Sequence, residues 1–313
     1  MSIAGQLLST LIQIDVQPLL SQRRQKAAAR EATVRVIKEE MKMHTKKITC
    51  LFISLLIVLA IATASATAKG IQPSGKKIGI DKQGNTIYQV QANGIKIGYK
   101  LIGSGEPLVM IMGLGATMDL WPIEIIQMLS KNYQLIILDN RGMGYTTTND
   151  KKFNYKLFAD DVIGLLTVLG VKKTNVLGYS MGSVITQKLL LEYPEQFNKA
   201  IIHATSADGS DVAKALTGKT PDNPTIIRQV LATIHWKTPM DQLPSIANQV
   251  MFLVGTSDHI VGIESSKALA SAIPGAWLVQ FKNGTHHLIT EAPIDFAKVV
   301  LTFLNINETI DVK

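Results

Sequence analysis

The sequence predicts an α/β fold of three layers: a mostly parallel sheet that follows an N-terminal antiparallel hairpin. Three observations predict it. Segments 86–90 and 95–99 alternate apolar and polar residues around Asn93-Gly94, a pair suited to a tight hairpin turn because both positions tolerate positive φ. Beyond the hairpin the strand-like segments become continuous apolar runs, as expected where helices cover both faces of a sheet. Helical patterns fall between those runs, so β and α units alternate along the chain.

In chain order, the strand runs are 108–112, 135–138, 175–177, 200–203, 250–254 and Trp277–Phe281, none of which holds a charged residue. The helical patterns between and after them cover 121–129, 155–169, 181–191, 264–272 and 294–304. Between the 200–203 and 250–254 runs the one clear helix covers 224–235, with Trp236 behind it. In sheets of this kind, sites lie at the carboxyl ends of the strands. The predicted organisation is an extension or a disordered or helical segment at 1–42, a signal peptide or N-terminal membrane anchor at 43–68, and the α/β domain at 75–313.

The 313 residues are 46% hydrophobic and 18% charged, enough apolar content for one sizeable core. Of the formal charge of +8, residues 1–68 supply +5, with nine Lys/Arg against four acids. The body is therefore only mildly basic, and it has no Arg/Lys stripe interleaved with aromatics, which argues against nucleic-acid binding. The excess charge flanks a targeting pattern. Met43-His44-Thr45-Lys46-Lys47 is basic, residues 48–61 are apolar and uncharged, and Ala62 to Ala68 are small. This layout predicts export to the periplasm or the medium, with cleavage after Ala66 or Ala68. Left uncleaved, residues 48–68 would anchor the chain and form its one membrane contact. Met43 is expected to be the true start, with 1–42 upstream sequence; the alternative is an amphipathic cytoplasmic helix with Leu7, Leu8, Leu11 and Ile12 on one face. The single cysteine, Cys50, lies in the apolar run, so the body is expected to hold together without disulfides. No Cys/His cluster has metal spacing and no Walker-type phosphate loop is visible, so neither metal nor cofactor is expected. Nothing in the sequence sets an oligomeric state.

The chemistry-bearing residues fall at predicted strand ends. Gly178-Tyr179-Ser180-Met181-Gly182 reads G-x-S-x-G between a strand and a helix. Such a turn lifts the serine hydroxyl clear of the backbone and aims the first N–H groups of the helix at any charge formed there. Ser180 read blandly is only a turn residue. Asp258 follows the 250–254 run, and His286 and His287 follow the last strand. A serine hydroxyl needs an imidazole to take its proton, and a carboxylate to fix the imidazole's tautomer and stabilise its charge. The order Ser, Asp, His suits that chemistry on a nucleophile elbow. Asp258 read blandly caps the following helix, and Asp208 is a rival acid. His259 reads as a rim residue, and Asp139 as a brace of its own turn through Arg141 or backbone N–H groups.

These motifs, with Asp139-Asn140-Arg141-Gly142-Met143-Gly144 as a D-x-R-G-x-G turn, make the chain resemble the α/β-hydrolase fold superfamily from about Thr86 to the C-terminus. The resemblance implies a catalytic Ser180, Asp258 and His286, and a short lid inserted at about 208–247. Glu291 and Pro293, five and seven residues beyond His286, fit the family pattern and favour it as base, with His287 as the alternative. It also implies oxyanion donors at the backbone N–H groups of Leu114 and Met181. Met112-Gly113 stands where the family usually has His-Gly, and methionine can pack but cannot brace the loop by a hydrogen bond. The implied activity is that of a serine hydrolase acting on a small-molecule ester or acyl substrate, with a carboxylic ester first. Alternatives are a thioesterase, a proline iminopeptidase-like peptidase, a C–C hydrolase, a perhydrolase or a non-catalytic small-molecule-binding protein. Epoxide hydrolases and haloalkane dehalogenases of this fold carry aspartate where Ser180 stands. Met118, Trp121, Met143, Tyr179, Met181 and Trp236 are candidate pocket walls, with at least half of them expected to be ordinary core. Their uncharged character favours a neutral or acyl substrate.

Overall fold

The computed structural model describes residues 70–215 and 222–306, together with positions 30, 35 and 38–46. The chain divides between Thr67 and Ala68 into two units. In the first, residues 38–46 are helical and exposed. The apolar run of the expected signal or anchor, the cleavage positions and Cys50 lie outside the described residues, as does nearly all of 1–42. Among the described residues no helix is long and apolar enough to cross a membrane.

The second unit is built on a nine-stranded sheet: β1 (Lys76–Ile80), β2 (Thr86–Ala92), β3 (Ile95–Ile102), β4 (Glu106–Ile111), β5 (Tyr133–Leu138), β6 (Thr174–Tyr179), β7 (Phe197–His203), β8 (Gln249–Gly255) and β9 (Trp277–Phe281). Their order across the sheet is β1-β2-β3-β5-β4-β6-β7-β8-β9. The hairpin turns at Asn93 and Gly94, both at positive φ (44° and 74°), so that Ala92 faces Ile95 and Val90 faces Ile97. β1 adds a third antiparallel strand that the sequence did not disclose: Lys76-Lys77-Ile78-Gly79-Ile80 is largely exposed and lacks a clean apolar alternation. β3 pairs antiparallel with β5, and from β5 across to β9 the pairings are parallel.

The α-helices among the described residues of this unit are α1 (Ile123–Leu129), α2 (Tyr155–Val168), α3 (Met181–Glu192), α4 (Gly209–Ala215), α5 (Pro224–Ile234), α6 (Ile263–Ala272), α7 (Leu288–Glu291) and α8 (Pro293–Asn305). Successive strand residues point to opposite faces, and both faces are apolar. Val109 and Ile111 join the core beneath α2 and α3, with Phe158, Val162 and Ile185. Leu108 and Met110 join the core beneath α1 and α8, with Ile125, Leu129, Phe296 and Phe303. Two covered faces are why the central strands read as unbroken apolar runs rather than alternations. The lid differs from expectation in one respect: it holds two described helices, α4 and α5, packed on each other, where one was expected. Gly209 to Lys214 carries a single large apolar residue, Val212, too little for a helical pattern to be read.

Candidate active site

Ser180 stands at the junction of β6 and α3 with φ 54° and ψ −117°, a conformation costly for a residue with a Cβ. The surroundings fix it there. Its N–H donates to the His203 carbonyl on β7 at 3.0 Å, and its own carbonyl accepts from the Ser183 N–H at 2.9 Å. The two motif glycines are required by close approach. A Cβ on Gly178 would collide with the Gly182 carbonyl and Thr186 Oγ1, and one on Gly182 would collide with the Ile111 carbonyl on β4.

The turn delivers the hydroxyl to an imidazole. His286 Nε2 lies 2.9 Å from Ser180 Oγ, and His286 Nδ1 lies 2.9 Å from Asp258 Oδ2. Three residues separated by up to 106 positions are thus joined in one relay. The Asp258 carboxylate is fully buried, and its Oδ1 accepts from the N–H groups of Ile260 (2.9 Å) and Val261 (3.1 Å). Burial alone would raise its pKa. The contact with His286 and the two backbone donors outweigh that and hold it below the usual carboxylate value. The ion is therefore kept where it can stabilise a charged imidazole.

The loop that presents His286 is tied from behind. Glu291 accepts from the Thr285 N–H at 2.9 Å and also from the Thr285 hydroxyl. Thr285, which stands where the family pattern has glycine, thereby contributes a tether. His287 is exposed; its Nδ1 lies 3.3 Å from the Tyr179 hydroxyl, and its ring is edge-on to His286. Asp208 starts α4, accepts from the Ser210 N–H and pairs with Lys237; it makes no hydrogen bond to either histidine. His259 is exposed on a shallow polar groove with Asp211 and Lys214. Asp139 does brace its turn through backbone donors, Met118 N–H at 2.7 Å and Tyr145 N–H at 2.8 Å. The expected partner Arg141 is instead engaged by Asp161, which lies 20 residues along on α2.

Two backbone donors flank Ser180. Met181 opens α3, and Leu114 lies on the loop after β4; among the described residues neither N–H has a protein acceptor. The adjacent Gly115 N–H donates at 2.8 Å to Oε1 of Gln229, a fully buried side chain on lid helix α5. Sequence reasoning missed Gln229. On α5 it is Gln229, Ala232 and Thr233 that are buried, while Leu231 is 49% exposed, so the polar side of the helix packs downward.

Two cavities meet at Ser180. A groove of about 390 Å³ runs past Leu120, Tyr179, His286, His287 and Ile289. A closed pocket of about 30 Å³ lies on the other side, against Tyr155, Met181, Val184 and Trp236. Of the six expected wall residues, Tyr179, Met181 and Trp236 line a cavity, whereas Met118, Trp121 and Met143 are buried core. Met112 lines the groove, and its carbonyl accepts from Asn140 Nδ2 at 2.8 Å, so the loop keeps a brace through the backbone.

Residues 106–229 match the family described as alpha/beta hydrolase fold. An α/β-hydrolase fold protein from Chitinophaga pinensis superposes with a TM-score of 0.63 at 22% identity, covering 71% of this chain and 98% of that one. The chain has the α/β-hydrolase fold, and residues 106–229 carry the family match. Among curated relatives, a Synechocystis sp. protein assigned as a non-heme chloroperoxidase is 28% identical over 195 residues, 62% of this chain and 67% of that protein. The 3-oxoadipate enol-lactonase 2 of Acinetobacter baylyi is 30% identical over 118 residues, 37% of this chain and 44% of that protein. The chain spans less than half the length of several curated relatives that it matches. Within this superfamily its relatives are thus hydrolases and haloperoxidases at modest identity.

Proposed function

We propose that the chain is a serine hydrolase that cleaves a carboxylic ester through an acyl-enzyme intermediate. The observation that carries this is the Ser180–His286–Asp258 relay, two 2.9 Å contacts in series at the floor of a largely apolar groove. Ser180 Oγ attacks the ester carbonyl carbon as its proton passes to His286 Nε2. The negative charge moves to the carbonyl oxygen, against the Leu114 and Met181 N–H groups; each such donor typically contributes roughly 3–4 kcal/mol to the transition state. The C–O bond to the alcohol then breaks, and the alcohol oxygen takes the proton back from His286. Water, deprotonated by the same imidazole, attacks the acyl-enzyme and releases the acid with Ser180 restored. The enol-lactonase relative supports an ester as substrate, since a lactone is a cyclic ester.

A fluorophosphonate probe tests the reading. Folded protein should be labelled at Ser180 and the Ser180→Ala variant should not; absence of label on the folded native protein defeats the hydrolase assignment.

Gln229 should act on the same step from the lid. It holds Gly115, the neighbour of the Leu114 donor, by a buried hydrogen bond. Gln229→Met keeps the volume but leaves the Gly115 N–H without its acceptor, a change worth roughly 1–3 kcal/mol. Steady-state kinetics should show kcat down about tenfold with KM nearly unchanged. A KM effect without a kcat effect would mean that Gln229 only packs the lid.

A further inference from the structure

Resting on the serine-hydrolase reading, we propose that the site takes esters of a short acyl group, acetyl or propionyl, with a bulky apolar alcohol. The argument starts from where the proton must go. His286 Nε2 is the atom that returns a proton to the departing oxygen, so the alcohol half of the ester has to lie on the His286 side of Ser180. That side is the groove of about 390 Å³, walled by Met112, Leu120, Tyr179 and Ile289. The acyl substituent then points the other way, past Met181, into the closed pocket of about 30 Å³, which His286 does not line. The two spaces share Leu114, Ser180, Val212 and Ile260 and so meet at the reacting carbon.

The pocket is much the smaller of the two spaces, about 30 Å³ against about 390 Å³, and so suits the smaller half of the ester. Its far wall is fixed by specific contacts. The Tyr155 hydroxyl lies 3.1 Å from Thr233 Oγ1, Trp236 Nε1 donates to Thr238 Oγ1 at 3.1 Å, and the two rings pack with centroids 4.9 Å apart. Lengthening the acyl chain therefore requires displacing a tethered aromatic pair. The groove has no such limit, and its rim carries no charged side chain that would exclude an apolar alcohol.

Two ester series on the native protein test this. In the first, p-nitrophenol is kept and the acyl group runs from acetate through butyrate and hexanoate to octanoate. In the second, acetate is kept and the alcohol runs from methyl through butyl to benzyl, alcohols of similar acidity. Since one methylene too many in a tight pocket costs roughly tenfold or more, kcat/KM should fall at least about tenfold from acetate to hexanoate. In the acetate series it should rise from methyl to benzyl. Trp236→Ala should move the optimum toward butyrate or hexanoate; where thermal melting shows that variant unfolded, Val184→Ala should move it in the same direction. A native preference for hexanoate or octanoate over acetate overturns the inference while Ser180 labelling keeps the hydrolase reading intact. Failure of Ser180 to label the fluorophosphonate overturns both.

Discussion

Ser180→Ala and His286→Ala should each lower kcat by about 10⁴–10⁶, while His287→Ala should stay within about tenfold of the native rate. The contrast follows from geometry. His286 is within 2.9 Å of both the hydroxyl and the carboxylate, whereas His287 is exposed and, among the described residues, its ring hydrogen-bonds to the Tyr179 hydroxyl and to neither Ser180 nor Asp258. Double replacement of Ser180 and His286 should cost little more than either single change, because residues that act as one unit lose their effect together. Asp258→Asn should be nearly as damaging, about 10⁴ in kcat, for a reason of tautomers. The side chain at 258 accepts from the Ile260 and Val261 N–H groups through Oδ1. An asparagine placed there keeps its oxygen on those donors and turns its NH₂ toward His286 Nδ1. The imidazole then carries its proton on Nε2, facing Ser180, and has no lone pair to receive the hydroxyl proton. Steady-state turnover and the rate of fluorophosphonate labelling should fall in parallel for all three positions. Loss of turnover in His287→Ala but not in His286→Ala would move the base by one residue.

What could be read in advance divides along physical lines. The parallel strands were legible because burial on both faces forces short unbroken apolar runs such as Leu135 to Leu138, spaced between helical patterns. The elbow was legible because its constraint is covalent and local: two positions where a Cβ collides with backbone, around a serine held at positive φ. The relay was legible in part. Chain order put Ser180, Asp258 and a histidine at neighbouring strand ends, and the positions of Glu291 and Pro293 favoured His286; the two 2.9 Å contacts then single it out from His287. The lid was legible in part. The helix expected at 224–235 stands as α5, whereas α4, with Val212 as its one large apolar residue, went unseen, and nothing in the sequence marked Gln229 as the buried polar residue of α5. β1 was missed for a related reason: an edge strand with Lys76 and Lys77 is held by its ladder to β2, and half-exposed ladders leave little trace in hydropathy.

His203 is the residue whose role only the packed structure reveals, and it should make the fold sensitive to mild acid. It ends β7 directly beneath the elbow, fully buried, stacked on Tyr179 at 5.2 Å between ring centroids and edge-on to Phe296 at 5.0 Å. Its Nδ1 lies 2.9 Å from the Leu253 carbonyl and so carries the proton; among the described residues its Nε2 has no partner. A second proton would place an unpaired charge in the core, and burial accordingly pushes its pKa down to about 4. In the unfolded chain the same ring titrates near its ordinary value of 6.5. The unfolded state therefore binds the extra proton first, and stability present above pH of about 6.5 is lost as the pH falls toward about 4, by up to about 3 kcal/mol. Asp258 does not blur this window, because its lowered pKa moves its own loss to more acidic conditions. Asp139 and Asp161, raised by burial, act in the opposite sense, so the diagnostic quantity is a difference between variants. Urea unfolding of the native protein and of His203→Gln, which keeps an amide donor for Leu253 and does not titrate, should be compared at pH values above and below that window. The native protein should lose stability more steeply than the variant on acidification; equal slopes would mean that the ring takes up its proton as readily in the fold as in the unfolded chain and that this position is not the acid-sensitive point of the fold.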